Sequence, residues 1–455
     1  MGGLQVKNEV AELAYRAGVV GAGGAGFPTH VKLDVAVDMV IVNGAECEPL
    51  LSVDYHLMVE FSSQLAAMLE KVRTAVEAQK AVFAVKAKNK EAVLALQRAT
   101  ASYPNLEVVQ LGDFYPAGDE FVLVYEALGK RVPPGGIPLA IKTVVLNVET
   151  LWNLVEGEAG RPVTGTWVTV NGAVNRPGTF HVPLGVRIKD LLSLAGGPSI
   201  AAYRVLSGGP MMGELVEDLE QPVTKTTKGI LVLPETSPVI TVRSMPIPHI
   251  LRQARAACCQ CRECTEMCPR YHLGHQLEPH KMMLLVSYPG YEARAAAEAY
   301  LCSECGVCDL YACPMGLSPR RVNQALKKEL REQGVPNLYK GVEREVHPWR
   351  EYRRVPVSRL LKRLGLANYP PKPPLRQETI TPDQVTLLLK QHAGAPAVPV
   401  VQVGQQVSRG DLVADVPAGS LGARIHASIT GKVTAVTPAA ITIVAEKGKE
   451  VADNG

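Results

Sequence analysis

Apolar positions recur along the chain with more than one period, and the changes of period divide it into segments. Over residues 4–17 (LQVKNEVAELAYRA) they come at helical spacing and stop at Gly18, which predicts a helix. The run MVIVNGAECEP (39–49) reads as a buried strand whose C-terminal end delivers Asn43, Glu46 and Glu48. Residues 54–79 predict a helix, 81–88 and 105–112 predict strands, and 90–100 predicts the helix between them. Strands alternating with helices predict a parallel, helix-covered sheet, with ligands bound beyond the carboxyl ends of its strands.

Residues 167–197 change the pattern to a β-grasp-like unit. A strand pair surrounds the Asn175-Arg176-Pro177-Gly178 turn, and a helix follows that ends at Gly196-Gly197. Segments 203–213 and 225–235 extend this region, with Lys225 and Lys228 read as solvated. Residues 269–301 and 319–333 are helical by composition, and the basic, proline-rich stretch 346–375 reads as a linker. Residues 398–436 have the pattern of a lipoyl- or biotinyl-type barrel-sandwich hybrid. The tight turn at 417–422 has no Lys, so it cannot carry a cofactor covalently. The expectation is a multidomain α/β chain. It has a Rossmann-like domain (1–158), a β-grasp domain (159–245), a helical domain (246–335), a linker (336–380) and an all-β barrel-sandwich hybrid (381–455).

Composition agrees with several packed cores: 455 residues, 47% hydrophobic and 20% charged. The 48 basic and 44 acidic residues are too balanced for a nucleic-acid surface. No apolar run has the length of a membrane span, and the N-terminus has no signal-peptide core.

Eight cysteines supply the chemistry. They form Cys258-x2-Cys261-x2-Cys264-x3-Cys268-Pro and Cys302-x2-Cys305-x2-Cys308-x4-Cys313-Pro. Three thiols at steps of three wrap one face of a cubane, and the fourth sits too far along to close the same cluster and ligates the other. This assigns Cys258, Cys261, Cys264 and Cys313 to one [4Fe–4S] cluster and Cys302, Cys305, Cys308 and Cys268 to a second. Paired zinc sites are the competing reading, though zinc needs no third stepped thiol or Cys-Pro. Disulfides would close strained, tiny loops. Cys47 and Cys259 read as buried non-ligands, and the extra residue before Cys313 leaves room for a local bulge or an altered potential. Irregular spacing makes His272, His275 and His280 surface or packing residues. With no targeting segment, oxygen-sensitive clusters imply a reducing cytoplasm.

Gly21, Gly23 and Gly26 satisfy G-x-G-x-x-G, but the run follows a predicted helix instead of a strand, which weakens an ordinary dinucleotide fingerprint. Its bare backbone could still approach a phosphate. GAGGAGFPTHVK (21–32), VNGAECEP (42–49), YPAGDE (115–120) and NVETLWN (147–153) occur in the order and spacing of the flavin-binding subunit of respiratory complex I. The chain therefore resembles that superfamily. The Rnf-complex C subunits are nearer, and the cobalamin reductases of propanediol-utilising microcompartments nearer still, because they too place the barrel-sandwich module last. Residues 167–197 resemble the soluble-ligand-binding β-grasp (SLBB) domain of the same family.

The resemblance implies an FMN- and NADH-binding domain and a two-cluster ferredoxin domain. It implies that Gly21, Gly23, Gly24, Gly26 and Lys32 hold FMN, with Asn43 and Glu46 beside flavin and nicotinamide and Asn147 and Thr150 completing the flavin contacts. Tyr115, Gly118, Asp119 and Glu120 would receive NADH, with Glu46, Tyr115 and Glu120 as the catalytic set. Glu48 and His30 read more simply as an acidic rim and a structural residue. Ala22 and Ala45 replace an Arg and an Asp of the complex I relatives, which leaves retention of NADH binding open.

The implied activity is an NADH-dependent oxidoreductase passing electrons through FMN and the two clusters to a corrinoid, toward cob(I)alamin. The implied partners are a corrinoid or a corrinoid adenosyltransferase and other microcompartment or redox-complex subunits, in the cytoplasm or inside a bacterial microcompartment. The alternatives are an Rnf-type NADH-input subunit and a non-catalytic iron–sulfur wire.

Overall fold

The computed structural model describes residues 8–24, 26–288, 290, 293–337 and 343–446. Residues 4–7 of the expected first helix, Ala25 of the glycine run, residues 289, 291–292 and 338–342, and the chain after 446 lie outside them.

Helix α1 (Glu9–Arg16) starts at Asn8, whose side chain accepts from Ala11 N–H, and it buries Val10, Ala11 and Ala14. After α2 (Thr29–Leu33) comes β1 (Met39–Gly44), a central strand of a parallel sheet. Its neighbours are β2 (Lys80–Lys86), β3 (Leu106–Leu111) and, beyond the two-residue β4 (Phe114–Tyr115), β5 (Thr143–Asn147); the order is β3-β2-β1-β5. Both faces are covered, so these strands are continuously apolar. Val40 and Val42 enter one core, with Phe83 and Val85, and Ile41 enters the other, with Val82 and Ala84. The helix expected over 54–79 is two, α3 (Val53–Glu60) and α4 (Ser62–Ala75). Phe61 leaves helical geometry between them and stacks on Trp152 at 4.1 Å between ring centroids. Helices α5 (Lys90–Thr100), α6 (Glu120–Leu128) and α7 (Val148–Glu158) complete the domain.

The β-grasp unit is a five-stranded sheet. The hairpin β6 (Gly165–Gly172) and β7 (Gly178–Pro183) is followed by α8 (Ile188–Leu194), β8 (Tyr203–Ser207), β9 (Glu214–Val216) and β10 (Gly229–Pro234), in the order β7-β6-β10-β8-β9. Gly196 and Gly197 close α8 in left-handed geometry, as expected. The cysteine-bearing region has short helices and the longer helix Pro319–Glu332.

One expectation needs correction. The stretch expected as a linker is packed structure. Val355–Pro356 pairs antiparallel with β4, and Arg350 and Arg354 both reach Glu126. The carbonyls of Pro370, Pro373 and Pro374 accept from Asn171 Nδ2, Ser52 Oγ and Thr179 N–H. Proline lacks a donor but keeps its acceptor, so a proline-rich strand can still be hydrogen-bonded to the domains beside it. The barrel-sandwich module packs directly on the first domain. Its buried Val385, Leu387, Ile425 and Ile443 are continuous with the core around Val40 and Leu69.

Candidate electron-transfer site

The glycine run forms a closed loop between α1 and α2. A Val20–Pro28 bridge seals it, Gly21 N–H donates to Phe27 O at 2.8 Å, and Gly26 N–H donates to Gly21 O at 3.2 Å. Gly26 is required twice over. Its φ is +62°, and a Cβ would lie 3.1 Å from His392 Cα of the barrel module. Gly24, at φ +117°, faces open space, where a Cβ would meet nothing within 4 Å. Gly23 faces Asn147, and Ala22 N–H donates to Thr150 Oγ1 at 2.9 Å. Lys32 on α2 pairs with Glu120 at 3.3 Å. Gly21, Gly23, Gly26, Lys32, Asn147, Thr150 and Glu120 are thus brought together at the carboxyl ends of β1 and β5. The open, side-chain-free backbone at Gly24 fits a flavin phosphate.

At the end of β1, Asn43 Nδ2 donates to Gly118 O at 3.0 Å and Asn43 Oδ1 accepts from Ala45 N–H at 3.1 Å. Gly118 is necessary because a Cβ would lie 2.9 Å from Cys47 Sγ. Glu46, in left-handed geometry at φ +39°, accepts from Asp54 N–H at 2.9 Å and Tyr55 N–H at 3.1 Å. Burial, reinforced by the Asp54 carboxylate, pushes the Glu46 carboxyl up to about 7.

Behind Glu46 lies a charged network that the motifs do not reveal. Asp54 Oδ2 accepts from Asn147 Nδ2 at 2.8 Å, and Lys228 Nζ lies 2.7 Å from Asp54 Oδ1 and 2.8 Å from Glu149 Oε2. Glu149 Oε1 also accepts from Thr166 Oγ1 and Trp167 N–H. Neither lysine expected in solvent is solvated: Lys225 is buried at 3% exposure, and the Lys228 side chain is 15% exposed. Their partners lie in other domains, beyond the reach of local pattern.

The loop 115–120 also departs from expectation. Tyr115 is buried, and its hydroxyl donates to the Cys305 carbonyl at 2.6 Å, so its ring does not line an open nicotinamide site. Asp119 caps α6 and pairs with Arg270 at 2.9 Å, and the Arg270 guanidinium lies 3.5 Å from the centroid of the Phe121 ring. Glu48 accepts from Met211 N–H at 2.9 Å near Arg243 and Arg320, and burial pushes its carboxyl up to about 7. His30 is buried against Tyr15.

The eight cysteines gather as two fours. Cys258, Cys261, Cys264 and Cys313 line one cavity, and Cys268, Cys302, Cys305 and Cys308 line a second with Arg270 and Arg320. Both loops repeat one backbone turn. Gln260 and Arg262 have φ of +55° and +68°, and Glu304 and Gly306, at the matching offsets from Cys302, have +60° and +79°. The extra residue before Cys313 is taken up in a π-helical turn, Cys308–Ala312. Among the described residues no three Cys, His, Asp or Glu converge to share one metal ion. The grouping into two fours, each of three stepped thiols and one thiol from the other run, fits two clusters. Cys47 is partly buried against Gly118 N–H. Cys259 is exposed beside the first cavity, not buried, because the loop turns outward there. His272 and His275 are packed inside.

Comparison with known proteins assigns the domains. Residues 14–156 match the Nuo51 FMN-binding domain, 167–215 the SLBB domain, 257–318 the 4Fe-4S dicluster domain and 373–451 the RnfC barrel sandwich hybrid domain. The chain thus contains an FMN-binding domain and a two-cluster domain, the architecture of an oxidoreductase. It is 45% identical over 439 residues to cobalamin reductase PduS of Salmonella typhimurium and 44% identical over 440 residues to that of Citrobacter freundii, covering 96% of each pair of chains. It is 36% identical over 268 residues to the C subunit of the Na(+)-translocating ferredoxin:NAD(+) oxidoreductase complex of Acetobacterium woodii, covering 57% of each chain. Among the described residues no helix is long and apolar enough to cross a membrane.

Proposed function

The chain belongs to the family of cobalamin reductase PduS, and from that premise we propose that it carries electrons from NADH to a corrinoid. NADH yields NAD+, a proton and two electrons; cob(III)alamin takes one to become cob(II)alamin, and a second takes it toward cob(I)alamin. FMN, when bound, supplies the conversion between a two-electron hydride donor and one-electron clusters.

In this reading Gly21, Gly23, Gly24, Gly26, Lys32, Asn43, Asn147 and Thr150 hold the flavin. Glu46, Gly118 and Glu120 border the nicotinamide side. Tyr115 and Asp119 serve differently, joining this domain to the cluster domain. The two cysteine fours are the cluster ligands assigned from their spacing. The order of the relay rests on one observation: the flavin-domain loop touches the cluster domain through Tyr115–Cys305 and Asp119–Arg270. The Cys268/302/305/308 cluster is then the inner relay. The Cys258/261/264/313 cluster, beside exposed Cys259 and Cys261, is the exit toward the acceptor.

The corrinoid arrives at that exit free or held by a corrinoid adenosyltransferase, in the cytoplasm or a bacterial microcompartment. The test is anaerobic. The chain is loaded with iron, sulfide and FMN, NADH is added, and flavin absorbance and cluster EPR are followed with and without cob(III)alamin. Reduction by NADH and reoxidation by cobalamin is the expected result. Reduction without reoxidation favours the NADH-input subunit, which the 36% identity to the A. woodii protein supports. No reduction by NADH, with dithionite reducing the clusters, leaves only an iron–sulfur wire.

A further inference from the structure

We infer that Lys228, projecting from the β-grasp domain, is a positioning residue for the flavin site that sets the charge beneath the glycine loop. The inference rests on the flavin reading above and gives the β-grasp domain a part in it.

The turn Thr224–Lys228, held by hydrogen bonds between Thr224 and Thr227, delivers two lysines to different partners before β10 begins. Lys225 Nζ donates to Gly18 O at 2.7 Å and Arg424 O at 2.6 Å, tying the start of the glycine loop to the barrel module. Lys228 Nζ enters the flavin-binding domain, where Asp54 is 6% exposed and Glu149 1%. Two carboxylates on one ammonium leave a local negative charge, with Glu46 alongside as a third carboxyl.

The path from Lys228 to the loop is short. Asp54, held by Lys228 through Oδ1, accepts from Asn147 through Oδ2, and Asn147 Cβ is the atom that a Cβ at Gly23 would meet at 3.6 Å. Asn147 Oδ1 also caps α7 by accepting from Glu149 N–H at 2.9 Å. Lys228 thus fixes the side chains of Asp54, the acidic partner of the residue that faces the loop, and of Glu149, whose backbone N–H that residue caps. It also bears on Glu46: burial and Asp54 raise that carboxyl, and the Lys228 charge lowers it. Burial alone would lower the Lys228 ammonium, but Asp54 and Glu149 hold it above the ordinary lysine value, so it stays charged.

Removing this cation leaves buried negative charge next to a site that takes up electrons, and reduction there becomes harder. The test uses the full chain loaded with iron, sulfide and FMN. The FMN midpoint potential is measured by anaerobic spectroelectrochemistry, with the cluster potentials from EPR as an internal reference. K228Q is expected to weaken reduced against oxidised FMN binding about tenfold, a fall of about 30 mV in the two-electron potential, with cluster potentials unmoved. K228R is expected to stay near wild type, and K228Q/D54N to recover most of the fall. If K228Q does not fold, D54N and E149Q each keep the lysine and remove a carboxylate, and the potential is expected to rise. An unmoved FMN potential in a folded, flavin-loaded K228Q, or in both D54N and E149Q, overturns the inference and leaves the flavin site standing. A wild-type chain that binds no FMN overturns the flavin site itself.

Discussion

The Tyr115 hydroxyl donates to the backbone carbonyl of Cys305 at 2.6 Å, so a flavin-domain loop and a cluster-binding loop share a partly buried hydrogen bond. Replacing Tyr115 by Phe leaves that carbonyl unpaired at a cost of about 1–2 kcal/mol. Y115F is expected to melt at lower temperature and transfer electrons from flavin to cluster more slowly, with KM for NADH unchanged. A raised KM would return Tyr115 to the nicotinamide site.

The relay order makes two cysteine variants unequal. C268S is expected to lose the inner cluster: NADH still reduces flavin, but no EPR signal develops in the remaining cluster. C313S is expected to lose the outer cluster, leaving an inner one that NADH reduces and cobalamin does not reoxidise. Equal behaviour in stopped-flow and freeze-quench EPR would refute the order.

The Arg270–Asp119 pair lies between the two domains with side chains 10% and 8% exposed. Breaking such a pair from one side strands a buried charge, at a cost of about 3–5 kcal/mol. R270M is expected to lower the denaturant midpoint strongly, and R270M/D119N to recover part of the loss because Asn still caps α6. Additive losses in the double variant would count against coupling.

Glu48 carries a pH dependence. Burial raises its folded carboxyl from 4.5 to about 7, so the folded state holds a proton that the unfolded state releases. Its stabilisation is complete below about pH 4.5 and lost as pH rises through 7. E48Q keeps the acceptor for Met211 N–H and cannot ionise. Its stability is expected to gain on wild type by up to ~3 kcal/mol across that interval, read as the difference between denaturation curves at successive pH values. A constant difference would place the Glu48 titration elsewhere.

Gly118 to Ala would press a methyl group onto Cys47, Ala45 and Asn43, all within 3.1 Å of the new Cβ. G118A is expected to lose about 1–3 kcal/mol, and with it FMN occupancy, measured by flavin absorbance per chain. Full flavin occupancy would separate this contact from the site.

Much of the architecture is legible in sequence because its signals are local. The stepping of Cys258, Cys261 and Cys264 is set by chain geometry around a cubane, and the apolar run at 40–42 follows from a strand covered on both faces. The extra residue before Cys313 leaves room for a bulge or an altered potential, and a π-helical turn stands there. The glycine loop is legible because only a side-chain-free backbone can close as Gly26 does. Tertiary structure alone decided the rest. Lys225 and Lys228 look like surface residues until Gly18, Arg424, Asp54 and Glu149 arrive from other domains. Tyr115 looks like part of a ligand loop until Cys305 covers it. The proline-rich stretch looks like a tether until Val355–Pro356 pairs with β4. In each case the partner is far along the chain, and burial of a polar group is governed by the partner it meets. A period of two or 3.6 residues therefore cannot report it.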